Sequence, residues 1–240
     1  MRLRHVVVAV PARDEEQLLG RCLASLDTAR AALASVRPDL AVHVVVVLDR
    51  CVDGSAAVAR AAAVEVVTGD LGSVGAARNI GVGVGTRAAL AAGVPPQATW
   101  VATTDADTVV PGDWLVQHVA LAETGVDLVV GTVVPDESVD PRVLVAWRAR
   151  HELGEGHRHV HGANLGIRAD AYASVGGFAP VPLHEDVALV EAVRASGRPW
   201  VATDRARVRT SARTVGRARG GFASHLAALA AVGVPRAAGG

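Results

Sequence analysis

Asp105 and Asp107 lie two residues apart where the apolar run Trp100-Val101-Ala102-Thr103 gives out. On extended backbone, residues i and i+2 point the same way, so both carboxylates would face one side. Two carboxylates held that close repel, and one takes up a proton unless a cation sits between them. A divalent cation with oxygen ligands resolves the conflict most simply. The spacing therefore predicts a metal site, with a strand ending in an Asp- and Thr-rich turn as the plainer alternative. A second metal-like pattern is His157-Arg158-His159-Val160-His161. If extended, it would put three imidazoles on one face, as a zinc or non-haem iron centre could use. A polar loop beside Gly162-Ala163-Asn164 is the simpler reading.

The elements that must position these groups read as an α/β chain. His5 to Val10 is a β-branched run typical of a strand buried on both faces, and Pro11 is expected to end it. Asp14 is expected to cap a helix with Glu15 and Glu16 in its first turn and Leu18, Leu19, Cys22, Leu23 and Leu26 on one face. Strands are expected at Val42 to Leu48 and Val64 to Val67, with a short helix between them. This β-α-β-α-β alternation predicts a parallel sheet with right-handed crossovers. Ligands bind such sheets beyond the carboxyl ends of the strands, where Asp14, Asp49 and Asp105 fall.

Gly72-Ser73-Val74-Gly75-Ala76-Ala77-Arg78-Asn79 opens the next helix, whose N-terminus favours anions. Gly81, Gly83 and Gly85 imitate a dinucleotide fingerprint but fall mid-helix, so a nicotinamide or flavin fold is not expected. Further on, the pattern predicts a helix from Pro111, a strand over Val126 to Val134 and a helix over Val139 to Arg150. A helix opened by His184-Glu185-Asp186 and closing strands at Trp200 to Thr203 and Arg207 to Thr210 complete it. The tail from Arg217 is basic and then Ala-rich. Phe222 to Val234 is apolar at partly helical spacing and could serve core packing, a homodimer contact or a peripheral membrane contact, with packing the default.

Composition narrows the function classes. The 24 acidic residues balance 24 basic ones, so nothing argues for nucleic acid as a partner. No lysine occurs, which excludes a P-loop lysine, a Schiff base and a lysine general base. Cys22 and Cys51 do not suggest a disulfide framework. No apolar run has the length of a membrane span, and a cytoplasmic protein is expected.

Taken in order, Val8-Ala9-Val10-Pro11-Ala12-Arg13-Asp14-Glu15-Glu16, Gly75-Ala76-Ala77-Arg78-Asn79, Thr104-Asp105-Ala106-Asp107, Gly162-Ala163-Asn164 and His184-Glu185-Asp186 resemble the motif series of family 2 glycosyltransferases. The resemblance implies a GT-A fold, a Rossmann-like, mainly parallel mixed sheet flanked by helices. It implies a nucleotide-sugar half over 1–107, an acceptor half over 108–225 and a tail over 226–240. A nucleotide-diphosphate sugar of UDP or GDP type would meet Pro11, Ala12, Arg13, Asp14 and Asp49 around its base and ribose. Arg78, Asp105 and Arg213 would also serve the donor, while Asp107 and Asp105 would hold Mn²⁺ or Mg²⁺. Asp186 would be the general base and Glu185, the second catalytic acid, would orient the acceptor or the loop, while His161, Asn164 and His184 would meet a hydroxyl-bearing acceptor. The single displacement this implies inverts the anomeric centre. The Q-x-x-R-W pattern of processive members is missing, so one sugar per encounter is expected. The third metal ligand that many such enzymes supply, often His, has no counterpart here, since the segment after Thr210 reads Ser211-Ala212-Arg213-Thr214-Val215-Gly216-Arg217. A nucleotidyltransferase and a non-catalytic sugar-nucleotide-binding module are the alternatives.

Overall fold

The computed structural model describes residues 2–179, 181, 183–213 and 222–232. The expectations for Arg217 and for the end of the tail beyond Val232 lie outside the described residues.

Eight strands form one sheet in the order β3-β2-β1-β4-β7-β6-β8-β5. β1 (His5–Ala12), β2 (Ala41–Asp49), β3 (Glu65–Gly69) and β4 (Thr99–Thr103) run parallel. β7 (Leu165–Arg168) is antiparallel to β4 and to β6 (Leu128–Pro135). β8 (Trp200–Thr210) lies parallel to β6, and the two-residue β5 (Thr108–Val109) closes the edge antiparallel to β8. The sheet is mixed and mainly parallel, as expected, and its helices cover both faces.

Alternation along β1 divides the core. Val6, Val8, Val10 and Ala12 join one cluster with α1 (Leu19–Val36), α2 (Ser55–Arg60) and α4 (Trp114–Glu123). Val7 and Ala9 join the other, with α3 (Val74–Ala91), α6 (Ala169–Ser174) and α7 (Glu185–Ala195). A satellite cluster joins α5 (Pro141–Arg148) to α8 (Phe222–Val232), where Val139, Val143 and Trp147 pack on Leu226 and Leu229. Packing is thus the structural role of the apolar run after Phe222.

Several boundaries differ from the sequence reading. Pro11 does not end β1, because its missing N–H costs nothing there. The Thr104 N–H donates to Ala9 O, so Pro11, two residues on, turns its nitrogen past the last β1–β4 pair, Ala9 and Thr103. Asp14 does not cap α1. It takes a left-handed conformation (φ 52°) and its Oδ1 accepts the Val52 N–H at 2.8 Å, so a turn intervenes and the helix begins only at Leu19. α5 begins at Pro141, where the Asp140 carboxylate accepts the Arg142 N–H. The two expected closing strands are one, β8, with a register shift opposite β6 between Gly131 and Val133.

Gly81 and Gly85 of α3 serve close packing of helix on sheet. A Cβ at Gly85 would run into Val7 Cγ1, and one at Gly81 would meet Ala9 Cβ at 3.1 Å and Val47 Cγ2 at 3.2 Å. Both face the strands.

Candidate functional site

A cleft of about 600 Å³ opens beyond the carboxyl ends of β1, β2 and β4. Pro11, Ala12 and Arg13 reach it from β1, Asp49 from β2, and Asp105 and Asp107 from the turn after β4. The N-terminus of α3 contributes Ser73, Val74 and Arg78, and that of α7 contributes His184, Glu185 and Asp186. His161 and Arg213 complete the set of expected residues that line it. Asp14 and Asn164 do not.

The Asp pair lies in a turn, where the Thr108 N–H donates to Asp105 O, and not on extended backbone as expected. The turn still delivers both carboxylates to the cleft, each against an arginine. Arg78 Nη2 donates to Asp105 Oδ1 at 2.6 Å, while its Nη1 donates to Glu185. Arg213 lies 2.8 Å from Asp107 Oδ2 and grips Glu15 with two bonds of 2.9 and 2.7 Å. Burial, then the neighbouring Asp105, push the Asp107 carboxyl up to about 6, against the pull of Arg213 and of the Thr210 hydroxyl. Glu15 raises it further. Glu15 and Asp107 thus share the Arg213 guanidinium while Asp105 and Glu185 share that of Arg78, so carboxylates outnumber arginines here. Hard oxygen donors in that charge balance fit a Mg²⁺ or Mn²⁺ ion at Asp105 and Asp107.

Arg78 is almost wholly buried, so it does not reach freely for a ligand as expected. Burial opposes its charge, and Asp105 and Glu185 more than restore it. It bridges the acids after β4 to those opening α7. Gly162 makes room for it, since a Cβ there would meet Arg78 Cζ at 2.5 Å. The Gly162 N–H also donates to Asp186 Oδ2 at 2.7 Å, which aims that carboxylate. His184 takes a left-handed conformation (φ 63°) that starts α7 and places Glu185 and Asp186 in its first turn.

The other expected residues sort by what they touch. Asp49 Oδ1 accepts the Leu71 and Gly72 N–H groups at 2.7 and 3.0 Å, so Asp49 also shapes the loop that leads into α3. Asn164 is fully buried: its amide donates to Thr132 O and Ala206 O and accepts from Trp114 Nε1. It pins β6, β8 and α4 together and cannot meet an acceptor. Asn79 likewise clasps Phe178, donating to its carbonyl at 2.8 Å and accepting its N–H at 3.0 Å. Reading the sequence overlooked Glu15 as the partner of Arg213. It also overlooked the group Asp14, Cys51 and Asp53, whose potential ligand atoms lie within 4.8 Å of one another. That group sits outside the cleft lining and fastens loops: Asp53 accepts the Glu16 and Ser55 N–H groups, and the Cys51 thiol donates to Ala12 O. Burial pushes that thiol up, away from the thiolate a metal requires.

Over residues 7–173 the sequence matches the model of Glycosyl transferase family 2. Comparison with curated proteins gives no match. Several solved structures share the fold. A mycobacterial protein aligns at 22% identity over 97% of this chain and 76% of its own, with a TM-score of 0.61. Glucosyl-3-phosphoglycerate synthase from Mycobacterium tuberculosis, in complex with Mn²⁺, UDP-glucose and phosphoglyceric acid, aligns at 16% identity over 98% and 82%, with a TM-score of 0.57. A mannosyltransferase from Pyrobaculum calidifontis, in complex with GDP-Man and Mn²⁺, aligns at 20% identity and a TM-score of 0.55, over 92% of this chain but only 59% of its own length. The structural likenesses establish a GT-A fold, and the family match extends over well more than half of the sequence: the chain belongs to glycosyl transferase family 2 and is a glycosyltransferase.

Proposed function

We propose that the protein is an inverting, metal-dependent, non-processive glycosyltransferase that moves a sugar from a UDP- or GDP-type donor to an acceptor hydroxyl. The observation that carries this reading is the placement of Asp186. Its carboxylate, aimed by the Gly162 N–H, opens on the same cleft as Asp105 and Asp107.

Pro11, Ala12, Arg13 and Asp49 would receive the base and ribose, since a carboxylate accepts hydrogen bonds from ribose hydroxyls and base N–H groups. Asp105 and Asp107 would hold the metal. A divalent cation there supplies positive charge to the departing diphosphate oxygen. Asp186 takes the proton of the acceptor hydroxyl as that oxygen attacks the anomeric carbon from the face opposite the diphosphate. One displacement inverts the centre, and no covalent sugar-enzyme forms. Glu185, held by Arg78, fixes the start of α7 and does not itself exchange a proton. The likeness to structures containing Mn²⁺ or Mg²⁺ together with UDP, UDP-glucose or GDP-Man supports the donor and metal classes. No helix among the described residues is long and apolar enough to cross a membrane.

Asp186→Asn is the test. Its carbonyl oxygen can still accept the Gly162 N–H, but it takes no proton. Turnover should fall by about 10²–10⁴-fold, while metal-dependent binding of nucleoside diphosphate survives. Unchanged turnover would remove Asp186 as the base. Products separate the rivals: free nucleoside diphosphate marks glycosyl transfer, pyrophosphate marks nucleotidyl transfer, and neither marks a binding module.

A further inference from the structure

One wall of the cleft is built from imidazoles that the donor chemistry leaves unused. His151 stacks on Trp147 with ring centroids 4.3 Å apart and planes 8° apart. His159 lies 4.7 Å and His225 5.1 Å from His151. The row continues through His157 and His161, each about one ring from His159, and His161 meets Phe222 edge-on. Backbone carbonyls anchor it, since His151 Nδ1 bonds Trp147 O at 2.9 Å and His157 Nε2 bonds Val130 O at 3.1 Å. Of these rings, His151, His161, His225 and Phe222 line the cleft. His161 directly precedes Gly162, whose N–H aims Asp186. The wall and that carboxylate therefore line one cleft.

We propose that the imidazole wall is the acceptor subsite and that it selects an uncharged, hydroxyl-rich ring, the sugar of a glycoside, over a phosphorylated or carboxylated acceptor. This rests on the glycosyl-transfer reading above. A neutral imidazole offers a flat apolar face for a sugar ring and both a donor and an acceptor nitrogen for its hydroxyls. Burial, and after it the neighbouring rings, disfavour the charged form of His159, His161 and His225. Burial, then His159, His151 and His157, lower His161 to about 3. Burial also lowers His159 and His225, with His151 adding to each effect. An anion would gain no charge attraction from the rings that burial keeps uncharged. Of the three arginines that line the cleft, Arg78 is held by Asp105 and Glu185, while the donor reading assigns Arg13 to the base and ribose and Arg213 to the diphosphate.

The test is ligand-observed NMR at about pH 7.5, in the presence of Mn²⁺ and UDP or GDP, with methyl α-glucoside, methyl α-mannoside and 3-phosphoglycerate as probes. At least one methyl glycoside should bind more tightly than 3-phosphoglycerate. His225→Gln, on the exposed edge of α8, and His151→Ala should each weaken it about fivefold, with the Mn²⁺-dependent nucleotide affinity unchanged. Preference for 3-phosphoglycerate, or glycoside affinity that ignores both substitutions, overturns the proposal and leaves glycosyl transfer standing. Loss of Mn²⁺-dependent nucleotide binding in the unaltered protein would instead overturn the transfer reading, and the acceptor subsite with it.

Discussion

Arg213 occupies one oxygen of the carboxylate that a metal would need, so removing its charge should raise metal affinity. The contact to Asp107 Oδ2 is 2.8 Å long and only partly screened, with side-chain exposures of 27% for Arg213 and 12% for Asp107. A hydrogen bond between charged groups contributes about 1.5–3 kcal/mol net. A metal entering the unliganded site must give up that contact before it gains its own. Arg213→Gln should therefore tighten Mn²⁺ binding without nucleotide by about 10- to 100-fold, since each 1.4 kcal/mol is tenfold. Calorimetric titration with MnCl₂ measures it directly.

With nucleoside diphosphate present the sign should reverse. Arginine matches phosphate geometry with two parallel donors, and Gln has neither that fork nor the charge. The variant should then bind the nucleotide–Mn²⁺ pair more weakly than the unaltered protein. Arg213→Lys should lie between, keeping charge without the fork. Mn²⁺ affinity that is unchanged or weaker in Arg213→Gln without nucleotide would refute the competition. A thermal scan gives a second reading. Removal of Arg213 takes two charged hydrogen bonds from the buried Glu15 carboxylate, so the metal-free variant should melt lower and gain more from Mn²⁺.

Gly85→Ala drives a methyl group into Val7 and should destabilise by about 1–3 kcal/mol in urea titration. Gly83→Ala meets only the far end of Arg87 at 3.3 Å and should be neutral or stabilising by up to about 1 kcal/mol through helix propensity. His118, fully buried between Trp100 and Trp114, is lowered by burial to about 4. Its neutral form is the one the fold prefers, so its contribution is complete above its ordinary 6.5 and is lost as pH falls towards 4. At pH 5 the loss is about 2 kcal/mol, and His118→Gln should flatten that part of the stability–pH curve.

Local signals made the parallel half of the sheet legible. Val6 to Val10 and Val44 to Leu48 are buried on both faces, which is why they read as unbroken apolar runs. The acids of the cleft were legible because strand ends and helix starts announce themselves by residue type. Contacts across long stretches of chain were not. Arg213 and Glu15 stand 198 positions apart, and no periodicity links them. Asn164 was misread for a related reason. A polar residue beside Gly162 suggests a ligand group, yet three partners from three elements had already consumed its amide. The late start of α1 had a subtler cause, a left-handed Asp14 whose carboxylate is drawn to Val52.

The two arginines of the cleft solve the same electrostatic problem differently. Each sits between carboxylates that would otherwise repel, but Arg78 is 4% exposed and Arg213 27% exposed along the side chain. A guanidinium buried as deeply as Arg78 cannot leave without stranding Asp105 and Glu185, so it acts as a fixed joint between the two acid motifs. Phe178 lies under it, 5.5 Å from Cζ, and Gly162 closes the other side. The spacing between the acids at the end of β4 and those at the start of α7 is therefore set by packing, before any ligand arrives. Arg213, just past the end of β8, is partly open to solvent, so exchange of its carboxylate partners for a phosphate is sterically open. A lysine would serve neither place, because it cannot hold two carboxylates in one plane. The absence of lysine throughout the chain costs this cleft nothing.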